Sequence, residues 1–259
     1  MIDLFIDVGN SRIKLALLDN DNYEYLGAFP VDNLMSDKIS TEFFSQLDFK
    51  PDHIYISSVT DASIEMLLRD LIAESWQLLP IFMSTQSYCC GIHNGYSKAH
   101  QLGVDRWMAL MGARAQTSGS FIVIDAGTAI TVDMVLDCEH KGGLIVPGIQ
   151  TMRSSLMKET ANLDQTCHEP IASSDDDESS NSLAIDTQSA ICGGTLYMAA
   201  AFVNNVIFDI QSQYINHFDI YITGGDGQLL SSLINTRNEY IEDLVLLGMI
   251  NIKENIKNS

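Results

Sequence analysis

The chain has 259 residues, 46% of them apolar, with five cysteines and a formal net charge of −20 at pH 7. That length supports one large core or two smaller ones; no 18-residue apolar run is present, which predicts no membrane span, and the start, without positive charges, reads as a strand rather than a secretory leader. An acidic surface repels nucleic-acid phosphates, and an odd number of cysteines without CxxC spacing predicts reduced thiols, no zinc site and a cytoplasmic protein.

In chain order, apolar alternation predicts strands at about 2–8, 12–18 and 23–29, then "HIYISSV". A helix over about 61–73 carries Ile64, Leu67, Leu68 and Leu71 at helical spacing, and the strand "QLLPIFM" leads into an irregular stretch at 84–102. A helix begins near Gly103, with Val104, Trp107, Met108, Met111 and Ala115 forming one apolar stripe. Strands follow across 121–136 and in "GGLIVPG", then a helix at about 148–159 and an acidic loop at 165–182. A long helix over about 183–212 holds Gly193, Gly194 and Ala199 to Ala201, suited to close helix contact. The strand "FDIYITGGDG" and a helix near 241–253 close the chain.

One sentence of this sequence is written twice. "LFIDVGNSRIKLALLD" from Leu4 and "IVIDAGTAITVDMVLD" from Ile122 align at an offset of 118, with Asp7 on Asp125, Gly9 on Gly127, Asn10 on Thr128, Leu18 on Leu136 and Asp19 on Asp137. Each copy is a strand, a small turn and a return strand. The chain therefore reads as an α/β duplication, with lobes at 1–115 and 116–259. An Asp-x-Gly turn suits a phosphate: glycine admits close approach and positive φ, Asn10, Ser11 and Thr128 offer uncharged hydrogen bonds, and the aspartates would hold a cation or its water. Two such turns would grip a polyphosphate from two sides, and "TGGDG" at 223–227 would seat a base or ribose against its glycines.

The order phosphate, phosphate, adenosine resembles the actin, hexokinase and Hsp70 ATPase superfamily, which implies duplicated actin-like, ribonuclease H-like lobes, each a mixed β-sheet flanked by helices. "DVGNSRIK", "YSKAHQLGVDR", "DAGTAITVD" and "GGLIVPG" together resemble type III pantothenate kinase over nearly the whole chain. The resemblance implies phosphorylation of pantothenate by ATP with Mg2+, the first step toward coenzyme A. It implies ATP binding by Asp7, Val8, Gly9, Asn10, Ser11, Arg12, Ile13, Lys14 and Thr128, with Asp125 binding K+ or NH4+. Pantothenate contacts are implied for Tyr96, Gly103, Val104, Asp105, Arg106 and Thr187, with Asp105 the catalytic base. It also implies a homodimer, without nucleic-acid or membrane partners. Lys98 and Ala99 stand where family members often carry Asn-Pro.

Asp105, in the first turn of its helix, is expected to be ionised by the helix dipole. Arg106 offers a planar fork for a carboxylate or phosphate. Lys14 is open between a phosphate contact and a surface lysine, and Asp133 between a supporting role and a solvent-facing one. His93, His100 and His140 show no acid or nucleophile at a spacing that would pair them. The rival readings are a kinase or phosphatase acting on another small acid or sugar, and a non-catalytic accessory protein; "GVDR" speaks against the first, and the presence of Asp7 and Asp105 against the second.

Overall fold

The repeat in the sequence is a repeat of topology. In the computed structural model, which describes residues 1–31, 44, 47, 49–159 and 183–257, the first copy folds as β1 (Ile2–Val8), β2 (Arg12–Asp19) and β3 (Asn22–Pro30). The second folds as β8 (Ser120–Ala126), β9 (Ala129–Leu136) and β10 (Glu139–Pro147), so the strand lengths match one for one. With β4 (His53–Ser58) and β5 (Ile81–Phe82), the first sheet has the order β3-β2-β1-β4-β5. The second runs β12-β11-β8-β9-β10-β7-β6, with β6 (Tyr88–Cys89), β7 (Ile92–His93), β11 (Phe218–Thr223) and β12 (Glu239–Tyr240). From β10 to β12 it repeats the first sheet strand for strand. The β4–β5 and β11–β12 pairs are both parallel.

The register of the duplication needs one correction. Gly9 to Ser11 separate β1 from β2, whereas only Gly127 and Thr128 separate β8 from β9. The shorter second turn shifts the return strand by one residue. Aligned from their first residues, β2 and β9 alternate buried and exposed positions almost identically, so Leu18 matches Val135, and Asp19 matches Leu136.

The described chain divides into two units: Met1–Val123, Asp133–Gly143 and Asp243–Ser259 form one, Ile124–Val132 and Leu144–Glu242 the other. Both are discontinuous in sequence, rather than separated by one cut at 115/116, because Asp133–Gly143 and the last helix belong to the first unit. That unit's core gathers Leu4, Ile6, Val8, Ile13, Leu15, Ile54, Ile56, Leu68 and Ile72. Helix α1 (Ala62–Trp76) is started by the Asp61 carboxylate, which accepts from the Ser63 and Ile64 amides. It ends on Gln77 at φ 58°, and this left-handed residue trims the predicted strand at 77–83 to Ile81–Phe82. The stretch at 84–102 contains the β6–β7 hairpin and a short 3-10 turn at Ala99–Gln101, which follows Lys98 without a side-chain cap.

Helix α2 (Val104–Gln116) is buried all round from Arg106 to Ala113, not along one stripe. The terminal helix, α6 (Leu244–Lys257), covers it closely. A side chain on Gly248 would overlap the Met108 carbonyl, and one on Gly112 the Leu244 carbonyl. α6 is also pinned to β1, where buried Asp3 accepts from Lys253 Nζ at 2.7 Å and pairs with His53 at 2.8 Å.

In the second unit lie α3 (Ile149–Glu159), α4 (Thr187–Gln213) and the short α5 (Gly227–Ser231). Among the described residues α4 is the one helix long and apolar enough to cross a membrane, by length and composition, where a search for unbroken apolar runs predicted none. Its polar residues are scattered enough for the average to stay apolar. One stripe, Cys192, Leu196, Ala199, Val203 and Ile207, is buried, and buried Arg153 of α3 donates to Thr195 Oγ1 and the Cys192 carbonyl. Gly193 and Gly194 face open space within the chain. Cys89, Cys90 and Cys138 are free thiols. Cys167 and the acidic loop at 165–182 lie outside the described residues.

Candidate active site

Each repeated turn is tightened by its own glycine. The Gly9 amide donates to the Arg12 carbonyl and the Gly127 amide to the Ala129 carbonyl, both at 2.9 Å. Neither glycine has a positive φ, because these bonds close the turns without it. What Gly9 contributes is its missing side chain, since a Cβ would stand 3.3 Å from the Arg12 carbonyl oxygen. Across β1 and β2, Asp7 is paired with Lys14 and Val8 with Ile13. Opposed residues share a face of the sheet. Val8 and Ile13 belong to the core and can offer a nucleotide only their backbone. Asn10, Ser11 and Arg12 are exposed at the tip, with Lys14 half-buried.

The second turn is braced from two directions within its own unit. The Thr128 carbonyl accepts from the Gly148 amide at 2.9 Å and from Thr151 Oγ1 at 2.6 Å. "TGGDG" arrives beside it: the Asp226 amide donates to the Ala126 carbonyl at 2.9 Å. Gly224 adopts φ +94°, where a Cβ would also stand 2.5 Å from Asp125 Oδ1. Asp125, Thr128 and the third motif are thus brought together with Gly148, the last residue of "GGLIVPG", while Thr151 was missed in the sequence. Thr187 is the exposed first residue of α4, beside the capping Asp186. Among the described residues no three His, Cys, Asp or Glu side chains gather to hold a metal ion.

Gly103, Val104, Asp105 and Arg106 open α2. Gly103 is the N-cap, with Val104 half-buried. The Asp105 carboxylate folds back to accept from the Arg106 amide at 2.7 Å, and a Cβ on Gly103 would stand 2.6 Å from Asp105 Oδ1. Glycine therefore makes room for that carboxylate. Burial pushes the Asp105 carboxyl above the ordinary value, against the Arg106 amide and charge, with Asp133 adding to the rise. The helix dipole does not win.

Arg106 is buried, and its fork is already engaged. Nε and Nη2 donate to the two oxygens of Asp133 at 2.8 and 2.6 Å, while Nη1 donates to Tyr96 Oη at 3.0 Å. Two of its five N–H groups remain for a ligand. Asp133 is the supporting residue, not a solvent-facing one. It also accepts from His140 Nε2 at 3.0 Å, since a carboxylate can only accept. His140 therefore has the paired acid that spacing did not reveal, seven residues away on the neighbouring strand. Its ring stacks on Tyr96 with centroids 5.9 Å apart, and Nδ1 is buried without a partner. The Tyr96 amide is held by Asn94 Oδ1 at 2.9 Å.

The sheet order and the two turns define an actin-like ATPase fold. The chain superposes on MreB 5 of Spiroplasma citri bound to AMPPNP with a TM-score of 0.50 and 11% identity, covering 99% of this chain and 98% of that one. Ethanolamine utilization protein EutJ from Carboxydothermus hydrogenoformans gives the same TM-score and identity, covering 97% and 90%. Within that fold the sequence is more specific. The family model for type III pantothenate kinase matches residues 3–209, and the type III pantothenate kinase of Hydrogenovibrio crunogenus is 38% identical over 253 residues, 98% of this chain and 99% of that one. The chain belongs to the type III pantothenate kinase family.

Proposed function

We propose that this protein transfers the γ-phosphoryl group of ATP to the hydroxyl of pantothenate, giving 4'-phosphopantothenate in the first step of coenzyme A biosynthesis. The observation that carries the reading is the near-full-length match to the family, with "GVDR" intact at the start of α2. Phosphoryl transfer to an alcohol needs alignment and charge neutralisation more than a strong base. Asp105, made somewhat more basic by burial, accepts the hydroxyl proton as the bond to phosphorus forms. The Asp133–Arg106–Tyr96 chain holds the wall beside it, with two Arg106 N–H groups left for pantothenate. Thr187 is a further pantothenate contact in this reading. The turn from Asp7 to Lys14 and Thr128 take the phosphates of ATP.

A −20 chain has little positive charge to set against a polyphosphate. With no multi-carboxylate cluster among the described residues, Mg2+ fits best as an ion arriving on the ATP phosphates. Asp125, one carboxylate among turn carbonyls, suits a monovalent cation, K+ or NH4+, which would neutralise charge near the phosphates. Activity is expected to collapse in sodium-only buffer and to return with potassium or ammonium; equal rates in all three would remove the assignment of Asp125.

The homodimer reading is supported by α4, whose outer face exposes Tyr197, Met198 and Phe208 near the open Gly193 and Gly194. Sedimentation at micromolar concentration is expected to show a species of twice the chain mass. A single 28.6 kDa species would contradict it. We read the enzyme as cytoplasmic and without membrane partners, and its net charge of −20 weighs against nucleic-acid partners.

A further inference from the structure

We propose that Cys89 and Cys90 form a reversible thiol-redox site that reacts with a small-molecule disulfide and closes to a Cys89–Cys90 disulfide. The pair lies in the β6–β7 hairpin, where Cys89 is paired with Ile92 and Tyr88 with His93. Cys90 and Gly91 form the two-residue turn, at φ +48° and +79°. A hairpin turn with two positive φ values favours Asn-Gly or Gly-Gly, so cysteine at its first position is held in a backbone region it ordinarily avoids. The consequence is geometric. Successive side chains of a strand point to opposite faces, but the left-handed turn swings Cys90 back, and the two sulfurs stand 3.5 Å apart.

Access and ionisation both suit exchange. Cys89 is buried and Cys90 half-buried. Cys90 lines an open cleft of about 350 Å³ with Gly91, Arg114, Thr117 and Cys138, which has room for a small thiol reagent. The Cys90 S–H donated to Cys89 brings the Cys89 thiol down to about 7, against its burial, while Cys90 is pushed up by the same contact. A thiolate is therefore present near neutral pH.

The resting charge sits on Cys89, but a reagent in the cleft meets Cys90. It draws on the minor form in which the Cys90 proton has passed to Cys89 across the sulfur contact, a thiolate of higher pKa and so of greater intrinsic nucleophilicity. The Cys90 sulfur attacks one sulfur of the reagent, the reagent S–S bond breaks, and one small thiolate leaves and takes a proton from solvent. Cys89 then gives its proton to solvent and attacks the Cys90 sulfur, expelling the second small thiolate, which is protonated in turn. Two protein thiols are oxidised and one disulfide is reduced to two thiols. Adjacent α-carbons are about 3.8 Å apart, shorter than the ~4.4–6.8 Å that disulfides usually span. The product is thus strained and easily reduced, which makes the change reversible.

The test needs no kinase assay and is independent of the phosphoryl-transfer reading. The reduced full chain is incubated with glutathione disulfide at pH 7, alkylated and digested with trypsin. Cys89 and Cys90 fall on the peptide 70–98 and Cys138 on 115–141. The 70–98 peptide is expected to lose about 2 Da and to resist alkylation, and dithiothreitol should restore both. Cys138→Ser should behave the same, whereas Cys89→Ser should retain glutathione on Cys90. A cross-link between the two peptides, glutathione retained on both cysteines, or full alkylation of 70–98 would overturn the proposal.

Discussion

Asp105→Asn is expected to lower kcat by roughly 10²–10⁴-fold, the usual span for a general acid–base group, and at the same time to raise the melting temperature. The two effects share one cause. Burial holds the Asp105 carboxyl above its ordinary value. A folded-state value above the unfolded one means that the associated stability is fully present below the unfolded pKa and is lost as pH rises through the folded one. At neutral pH the ionised carboxylate is therefore a net cost to the fold, and asparagine removes it. ATP affinity should survive, because the phosphate turns are untouched. The acid limb of kcat/KM in the natural enzyme should lie above the ordinary carboxylate value of 3.8 and vanish in the variant. Near-normal turnover in Asp105→Asn would mean that the residue serves only the first turn of its helix.

Asp133→Asn is expected to act in the opposite sense on stability, lowering it by about 3–5 kcal/mol, as when one partner of a buried pair is removed. Asp133 and Arg106 are 3% and 7% exposed, so the guanidinium left behind would keep its charge without its counter-ion. A melting scan should show a drop of about 6 °C or more. Combining it with Arg106→Gln should recover part of that loss, since the unpaired charge is then gone. Activity should not recover, because Tyr96 loses the Arg106 hydrogen bond. A drop under about 1 kcal/mol would place the pair in the range of surface ion pairs and contradict the buried geometry.

Much of this was legible in the chain, for identifiable reasons. The doubled Asp-x-Gly turns were readable because a strand–turn–strand unit carries a period-two pattern, and the sheet order repeats as the sequence does. The one-residue slip after the second turn was not, since apolar residues at Leu18, Val135 and Leu136 satisfy either register. Tyr96, Asp105 and Arg106 were found through local motifs. The Arg106–Asp133–His140 network was not, because it joins a helix to two strands, and no spacing along the chain encodes which polar groups meet in space. The all-round burial of α2 was hidden for the same reason: its second cover, α6, lies more than a hundred residues away. The upward shift of the Asp105 carboxyl was not legible, because a helix start is visible in sequence, whereas burial is not.

The most direct test of the central claim is a phosphorylation assay with ATP, Mg2+ and potassium against pantothenate, pantetheine, acetate and hexoses, with product identification. Pantothenate is expected to be phosphorylated on its hydroxyl, acetate and hexoses left untouched, and Asp105→Asn to abolish most of that signal. Turnover of a hexose or acetate with none of pantothenate would contradict the account.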